Sequence, residues 1–372
     1  MYNLPCPAAV MPGTEKSLGK AMNMKKRTNK PPTMNDVAKV AGVTQATVSY
    51  VLNNSGDISE PVKRRVMDAA EQLGYIRNNV ARNLKLRRSN TVGIIVPDVT
   101  NSYYSEIIKY TEKIIRENGH FTFICITMHK PELEDWYITS LIEQKVAGVV
   151  VCYGLANEKL LKKFVTYNVP FVVVDDDVQV EQIDAPCVLV NNIKGSFLAV
   201  QQFVSLGISK IAFCSESAYN HALKDRYEGF LLAIKEFGLQ KHLQHVYIAN
   251  EDSDQNDKIA LGYLAAEEIL ANSKPEGIFA TNDEMAIGVM KKLRESNIRI
   301  PQDIAVIGYD NVPLSSIISP SLTTINQPVM TMCIQGTNML RDLIAGKENA
   351  RRRIMLEPSI IVRDSAPQQN DW

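Results

Sequence analysis

The 372-residue sequence predicts an α/β protein in which a small all-helical N-terminal domain precedes a larger module of two lobes. Closely spaced helical patterns, two of them ending at a glycine, run from residue 33 to residue 75. From residue 91, short β-branched runs alternate with helical patterns, which is typical of βαβ units and of a parallel sheet covered on both faces. The remaining chain is longer than one open sheet usually needs, so we expect two Rossmann-like lobes.

Three short helices are expected in the N-terminal domain. Thr33 and Asp36 have the spacing of a capping box that opens the first helix, and Gly42 has the place of its C-cap. Thr44 can cap the second helix. Ser59 stands where the third helix begins, and a second glycine follows the end of that helix.

The first two helices have the spacing of a helix-turn-helix. The second opens with Thr-Gln-Ala-Thr, which places small and amide side chains at the end that enters the major groove of DNA. A glutamine there can pair with adenine, and hydroxyl groups can reach bases or phosphates. The alternative is an ordinary helical hairpin, and the motif alone does not decide between them.

The larger module shows eight strand candidates. They are Val92–Val96, Phe121–Ile126, Val146–Val151, Phe171–Val174, Lys210–Cys214, Val246–Ala249, Gly277–Ala280 and Ile304–Ile307. Helical patterns between them cover Ser105–Asn118, Glu132–Gln144, Leu223–Phe237, Lys258–Ala271 and Asp283–Ser296. Because doubly wound folds bind ligands at the carboxyl ends of their strands, the segments that follow these strands are the candidate binding positions.

Charge is distributed unevenly along a chain whose net charge is zero. Residues 24–90 carry 13 Lys/Arg against 5 Asp/Glu, so the rest of the chain is acidic. A basic front end on an acidic body is the charge pattern of a nucleic-acid-binding module joined to another module. A solvated basic tail would give the same balance.

Cysteine usage and hydropathy indicate a cytoplasmic protein. The six cysteines are scattered without a C-x-x-C pair, and Cys125, Cys152 and Cys214 lie in apolar runs of the strand type, where they are expected as small buried residues. We find no signal peptide and no apolar run long enough to span a membrane. The acidic triplet Asp175-Asp176-Asp177 is expected as a solvated loop, because a calcium-loop pattern is absent.

Several separate blocks resemble the lactose/galactose repressor family of transcription regulators. The first is D-V-A-K-V-A-G-V-T-Q-A-T-V-S-Y-V-L-N at residues 36–53, where only Thr44 replaces the family's usual serine. The others are Y-I-R-N-N-V-A-R-N-L at 75–84, V-G-I-I-V-P-D at 92–98, R-Y-E-G-F at 226–230, T-N-D-E-M-A at 281–286, V-I-G-Y-D-N at 306–311 and L-T-T-I at 322–325. The resemblance covers residues 33–363 and implies lobes of the periplasmic-binding-protein type.

For DNA, the resemblance assigns roles within the second helix and the basic segment behind the third. Base-reading positions fall on Gln45, Ala46 and Tyr50, and phosphate-holding or orienting positions fall on Thr44, Thr47, Ser49 and Asn53. Tyr50 departs from the family's common arginine and cannot make that residue's bidentate contact with guanine, so either the half-site differs there or Tyr50 contacts no base. Residues 79–86 resemble the family's hinge helix, which folds on the operator.

Within this hinge, Leu84 matches the leucine that wedges into the minor groove and kinks the DNA. Lys85, with two arginines after it, is expected to contact phosphates.

The effector cleft implied by the resemblance includes six residues: Asn101, Tyr103, Tyr104, Arg226, Asn282 and Asp310. Arg226 and Asp310 can donate to and accept from a polyhydroxylated ligand, while an aromatic ring supplies an apolar face. The alternatives are a surface ion pair for Arg226 and helix capping for Asn282 or Asp310. Asp176 and Asn191 stand where the family often has Arg and Asp, which weakens the transfer of any particular effector.

The sequence therefore predicts a cytoplasmic, homodimeric repressor that binds a palindromic DNA operator and senses a sugar or related metabolite. We expect no enzymatic activity, cofactor, catalytic residue, metal site or membrane contact. The expected boundaries are a disordered extension at 1–32, the DNA-binding domain at 33–77, hinge and linker at 78–90, the two-lobed effector-binding and dimerisation domain at 91–363 and a tail at 364–372.

Two rival classes are a sugar-binding receptor and an enzyme on a doubly wound fold; the N-terminal DNA reader argues against the first and the absence of a nucleophile, metal or cofactor motif against the second. The sequence leaves open whether the effector induces or co-represses, whether the protein activates, which operon it controls, and whether a phosphocarrier protein acts with it.

Overall fold

The structure is a computed structural model that describes residues 30–53, 55–76, 89–152, 158–177, 185–216, 221–250, 257–347 and 353–368. The chain divides into two compact units, Met1–Arg82 and Asn83–Trp372. The predicted hinge, including Leu84 and Lys85, lies outside the described residues, as does most of the predicted N-terminal extension.

The N-terminal unit contains the three predicted helices: α1 (Met34–Ala41), α2 (Gln45–Leu52) and α3 (Glu60–Leu73). Thr33 caps α1 in the predicted capping box with Asp36, and Gly42 ends the helix with φ 65°. A side chain at that φ would be strained, so glycine is what allows α2 to follow after two residues. The three helices bury one small core, whose members are Val37, Ala38, Ala41, Val48, Val66, Ala69 and Ala70.

In its described residues, the second unit contains two six-stranded sheets. In sheet one the strand order is β11-β5-β4-β3-β1-β2 and every pairing is parallel. Its strands are β1 (Thr91–Val96), β2 (Phe121–Ile126), β3 (Gly148–Cys152), β4 (Phe171–Val174), β5 (Cys187–Val190) and β11 (Arg353–Leu356).

Sheet two has the order β12-β10-β9-β8-β6-β7, with β12 antiparallel to β10 and the other pairings parallel. Its strands are β6 (Ile211–Ser215), β7 (Val246–Ile248), β8 (Gly277–Ala280), β9 (Ala305–Asp310), β10 (Thr323–Asn326) and β12 (Ser359–Ile361).

Helices cover both sheets. In chain order they are α4 (Ser102–Glu117), α5 (Pro131–Glu143), α6 (Lys162–Thr166), α7 (Asn192–Ser205), α8 (His221–Glu236), α9 (Lys258–Asn272), α10 (Asp283–Glu295) and α11 (Val329–Ile344). Short 3-10 turns lie at Glu158–Leu161 and Pro313–Ser316.

Among the described residues, the chain passes between the two lobes at three connections. These are the links from β5 to α7, from β10 to α11 and from β11 to β12. Each link joins the two lobes, because α11 packs on sheet one and α7 packs on sheet two. The first and third connections contact each other. The backbone N–H of Asn191 donates to the Leu356 carbonyl at 2.9 Å, and Lys194 forms an ion pair with Glu357 at 2.7 Å. Lobes that are joined by a few such connections can move relative to each other as rigid bodies.

The expected fold class is therefore confirmed, with a helix-turn-helix unit and two parallel-sheet lobes. All eight strand candidates coincide with observed strands. Six elements around these connections were not predicted: β5, α7, β10, α11, β11 and β12. Cys125, Cys152 and Cys214 are buried and unpaired, as expected.

Candidate functional site

The exposed end of α2 is the first candidate site. Gln45, Ala46 and Tyr50 are exposed and lie within about 140° of one another around the helix, at 3.6 residues per turn. Val48 points away from this face and is completely buried. The fold therefore presents the three predicted base-reading residues together on the solvent side of the helix-turn-helix.

The residues expected to hold phosphates or orient neighbours are bonded to one another in pairs. The Thr44 hydroxyl accepts the Thr47 amide at 3.1 Å and lies 2.9 Å from the Thr47 hydroxyl. The Asn53 side-chain amide donates to the Ser49 carbonyl at 2.6 Å and to its hydroxyl at 3.2 Å. These pairs fix both ends of α2, which suits residues that position the helix more than residues that read bases.

Tyr50 is half exposed, at 52% of its full area. Gly56 lies against its ring, so a side chain added at Gly56 would start 3.6 Å from Cγ of Tyr50. The tyrosine is thus oriented by the loop after α2 and still leaves half its surface free for contact.

The second candidate site is a cleft between the two lobes, at the carboxyl ends of their strands. Its cavity of about 20 Å³ is lined by Asn101, Tyr103, Tyr104, Asp175, Glu216, Arg226, Lys258, Asn282 and Asp310. All six predicted effector residues line it. Three further lining residues, Asp175, Glu216 and Lys258, were not predicted.

Arg226 is the central cation of the cleft. It is 5% exposed, its Nη1 lies 3.6 Å from Asp310 Oδ1, and its guanidinium carbon lies 3.8 Å from the centre of the Tyr309 ring. Nε donates to Asn192 at 2.9 Å and Nη1 to the Thr281 carbonyl at 2.6 Å. The surface ion pair considered from the sequence is therefore wrong for Arg226.

Two carboxylates face this cation from strand ends. Asp175 follows β4 with φ 65°, and Asp310 ends β9 with φ 107°. Such backbone is uncommon for residues other than glycine and is one of the features that cluster at functional sites. Burial raises the pKa of Asp175 to about 7 and that of Asp310 to about 6, while Arg226 opposes both shifts.

Tyr103 links these carboxylates to one of the connections between the lobes. Its hydroxyl donates to Asp175 Oδ2 at 2.6 Å, and burial together with the Asp175 charge raises the pKa of Tyr103 well above its usual value. Gln327, on the connection from β10 to α11, lies 3.2 Å from the same hydroxyl and donates to Asp310 Oδ1 at 2.7 Å. The cleft wall is therefore hydrogen-bonded directly to one of the connections between the lobes.

A second buried ion pair lies beside the first. Lys258 at the start of α9 contacts Glu216 at 3.0 Å, and the Asn282 side-chain amide donates to the same carboxylate at 2.9 Å. Burial alone would lower the pKa of Lys258, but Glu216 raises it, so the lysine stays charged. The Lys258 Nζ also lies 6.0 Å from the centre of the Tyr104 ring, which belongs to the other lobe.

Asn101 and Asn282 have two roles each. Asn101 caps α4 by accepting the Tyr103 amide at 2.8 Å, and Asn282 caps α10 by accepting the Met285 amide at 2.8 Å. Capping and cleft lining are therefore compatible here: helix capping is confirmed for Asn282, and its contact with an effector stays a prediction. Asp310 caps no helix and only faces the cleft.

The acidic triplet after β4 was expected as a solvated loop, and this was wrong for two of its members. Asp175 is 3% and Asp176 6% exposed, because the loop turns into the cleft and meets the opposite lobe, where Asp176 lies 3.5 Å from His221. Only Asp177 faces outward, in a bidentate pair with Arg353. Within the described part of the chain, no group of acidic, histidine or cysteine side chains could hold a metal ion.

Comparison with known proteins agrees with this geometry. Residues 33–78 match a family model for bacterial regulatory proteins of the lacI family, and residues 200–366 match a periplasmic binding protein-like domain. The HTH-type transcriptional repressor PurR of Vibrio vulnificus (strain CMCP6) is 33% identical over 91% of this chain and 99% of its own length. The HTH-type transcriptional regulator RegA of Clostridium saccharobutylicum is 32% identical over 89% and 98%.

Two solved structures show the same architecture. The lac repressor dimer bound to operator and the anti-inducer ONPF superposes with a TM-score of 0.79 at 25% identity, over 91% of this chain and 100% of that one. The transcriptional regulator CelR in complex with cellobiose gives 0.67 at 26% identity, over 90% and 99%.

A DNA-reading helix-turn-helix joined to a two-lobed ligand-binding module defines a ligand-responsive transcription regulator. The chain belongs to the lacI family of bacterial regulatory proteins. The expectation of a regulator and not an enzyme is confirmed by these relatives. No helix among the described residues is long and apolar enough to cross a membrane.

Proposed function

We propose that this chain is a cytoplasmic, homodimeric repressor whose affinity for a palindromic operator is set by a small polar metabolite in the interlobe cleft. The observation that carries the proposal is the cleft itself. Its charged and amide side chains are buried between two lobes, and Gln327 bonds them to a connection between those lobes. Buried charges of this kind cost free energy in a purely structural role, which favours a role in ligand recognition.

On DNA, Gln45, Ala46 and Tyr50 read bases in the major groove, while Thr44, Thr47, Ser49 and Asn53 hold phosphates or orient the reading side chains. The exposure of the first three and the pairwise bonding of the other four support this division. Tyr50 has one hydroxyl where a bidentate arginine is common, so the half-site differs at the base pair it faces.

Leu84 wedges into the minor groove at the operator centre, and Lys85 contacts a neighbouring phosphate. Both residues belong to the segment outside the described residues, so this part of the proposal rests on the sequence resemblance. Kinking the central step costs a few kcal/mol, which is offset by the added contacts that bending permits.

In the cleft, Asn101, Arg226, Asn282 and Asp310 hydrogen-bond the effector, and Tyr103 and Tyr104 supply its apolar wall. Binding between the lobes changes the free-energy difference between their open and closed arrangements, and a ligand can shift that balance only through its different affinity for the two. The lobes in turn set the separation of the two hinge segments in a dimer, and so the affinity for the operator.

An exposed sheet edge supports dimerisation. Strand β2 is the edge of sheet one, and its Phe121, Phe123 and Ile124 are 60%, 47% and 46% exposed. Edge strands with exposed apolar side chains associate unless they are covered. A second copy would cover this edge, and two readers related by a two-fold axis match a palindromic site.

The test is selection of bound duplexes from a random DNA pool by the full chain, by Leu84→Ala and by Leu86→Ala. We expect the wild type and Leu86→Ala to enrich a palindrome with a deformable central step, and Leu84→Ala to lose that enrichment. Enrichment of no sequence by the wild type, with or without a pool of sugars and metabolites, would refute the proposal.

A further inference from the structure

Charge in the interlobe cleft is unbalanced. Of the lining residues, Asp175, Glu216 and Asp310 are carboxylates, whereas only Arg226 and Lys258 are cations. All five are at most 8% exposed. Buried charges are normally paired one to one, so one carboxylate of this wall lacks its own counterion.

The unmatched carboxylate can be identified from the distances. Lys258 contacts Glu216 at 3.0 Å and Arg226 contacts Asp310 at 3.6 Å. Asn282 adds a hydrogen bond to Glu216 and Gln327 adds one to Asp310, at 2.9 and 2.7 Å. Each of these carboxylates therefore has both a cation and an amide donor.

Asp175 has neither. Its Oδ2 accepts the neutral hydroxyl of Tyr103 at 2.6 Å, and its Oδ1 is buried with no hydrogen-bond partner. The side chain lines the cleft and is 3% exposed, on a backbone with φ 65°. An unsatisfied buried carboxylate oxygen in a strained turn is costly to maintain unless a ligand completes it.

We propose that the effector is a small polyhydroxylated amine, whose ammonium group donates to Asp175 Oδ1. This deepens the proposed function and rests on it, since it names the ligand class of the same cleft. The ammonium supplies the missing positive charge, and charge-assisted hydrogen bonds are about twice as strong as neutral ones. The hydroxyls meet the amide and charged groups of Asn101, Asn282 and Asp310.

Other ligand classes fit this wall less well. An anion would bring a negative charge to a cavity that already has one carboxylate too many. A neutral sugar would satisfy the hydrogen bond but leave the charge unbalanced.

The test measures ligand binding to the full chain, without DNA, by thermal shift and isothermal calorimetry. The probes are glucosamine, galactosamine and mannosamine, each compared with its parent sugar, its N-acetyl derivative and the corresponding uronate. We expect at least one hexosamine to bind at least 10-fold more tightly than its three counterparts. Asp175→Asn should reduce that preference to less than about 3-fold, and Asp177→Asn, a carboxylate of the same loop paired with Arg353, should keep it.

Equal or stronger binding of a parent sugar or a uronate, a hexosamine preference that survives in Asp175→Asn, or no response to any hexosamine would each overturn the inference. N-acetylation removes the charge from the ligand, so the comparison on the wild type stands even if Asp175→Asn does not fold. Operator selection is a separate measurement: a chain that selects an operator but ignores hexosamines contradicts this inference alone, and a chain that selects no operator contradicts the proposed function.

Discussion

Replacing Arg226 by methionine tests whether its charge holds the cleft together. Methionine keeps much of the length and apolar contact of arginine, but it removes the ion pair with Asp310 at 3.6 Å and the donors to Asn192 and the Thr281 carbonyl. Breaking a buried ion pair on one side costs about 3–5 kcal/mol, because the partner charge is left uncompensated. We expect a loss of that size in the free energy of unfolding of the two-lobed module at pH 8.

The size of the loss should depend on pH. Burial raises the pKa of Asp310 to about 6 and of Asp175 to about 7, so both are ionised at pH 8 and largely protonated at pH 5. Arg226 opposes these shifts, and its removal raises both values further. A carboxylate whose pKa is raised by folding destabilises the protein as the pH rises, so Arg226→Met should be worse at pH 8 than at pH 5. At pH 5 we expect the loss of hydrogen bonds alone, about 1–3 kcal/mol.

Urea unfolding followed by circular dichroism measures both values. With a denaturant slope of about 3 kcal/mol per molar, the midpoint should fall by roughly 1–2 M at pH 8 and by less than 1 M at pH 5. Arg299→Met removes an exposed arginine paired with Asp303 and should stay close to the wild type at both pH values. The double variant Arg226→Met/Asp310→Asn should recover part of the loss at pH 8. An equal loss at both pH values, with no recovery in the double variant, would refute the reasoning.

Three further predictions concern packing, DNA choice and proton linkage. A Cβ at Gly262 of α9 would lie 2.0 Å from the Met285 carbonyl oxygen of α10, so Gly262→Ala should destabilise the module by about 1–3 kcal/mol. The control Leu264→Ala, on the exposed face of α9, should reduce stability less when both variants are compared by thermal melting. Tyr50→Arg should shift the selected half-site towards guanine, with a discrimination of about 1–3 kcal/mol; an unchanged half-site would mean that Tyr50 reads no base. Asp175 must ionise to bind an ammonium ion, so hexosamine affinity should rise from pH 5.5 to pH 7.5, and calorimetry should detect the release of a proton. The titratable and charged neighbours of Asp175 are Tyr103, Arg226, Asp310 and Asp176. A flat pH profile would contradict this.

Much of the fold follows from local sequence signals. The capping pair Thr33–Asp36 and the glycine at 42 mark α1 because both act within one turn of chain. Alternating runs located β1 to β4 and β6 to β9 for the same reason. The helix α7 was missed because Gly195 and two serines lower its helical propensity, and its formation depends on packing against sheet two.

Strand β10, next to a connection between the lobes, was also missed for a physical reason. Strand β10 is Thr-Thr-Ile-Asn, a short half-polar run whose burial is fixed by its neighbours β9 and β12. Such a strand has no periodicity of its own to detect. Its place in the sheet is a tertiary property.

The cleft was only partly predictable. The six expected residues were identified because they lie in blocks that resemble the family, while Lys258 and Glu216 lie in segments that carry no such block. Their pairing joins residues 42 positions apart, which only the fold brings together. For Asp175 the sequence even favoured the opposite environment, since three consecutive acidic residues usually face solvent.

The central claim is that occupancy of the cleft controls operator binding, and one titration tests it most directly. The operator obtained by selection is titrated by fluorescence anisotropy with the wild type and with Arg226→Met, each with and without a compound shown to bind the wild type. Coupling free energies of allosteric proteins are about 1–3 kcal/mol, so we predict a 5- to 150-fold change in the wild-type operator Kd and no change in Arg226→Met. An operator Kd that stays the same while the compound is bound to the wild-type cleft would contradict the account.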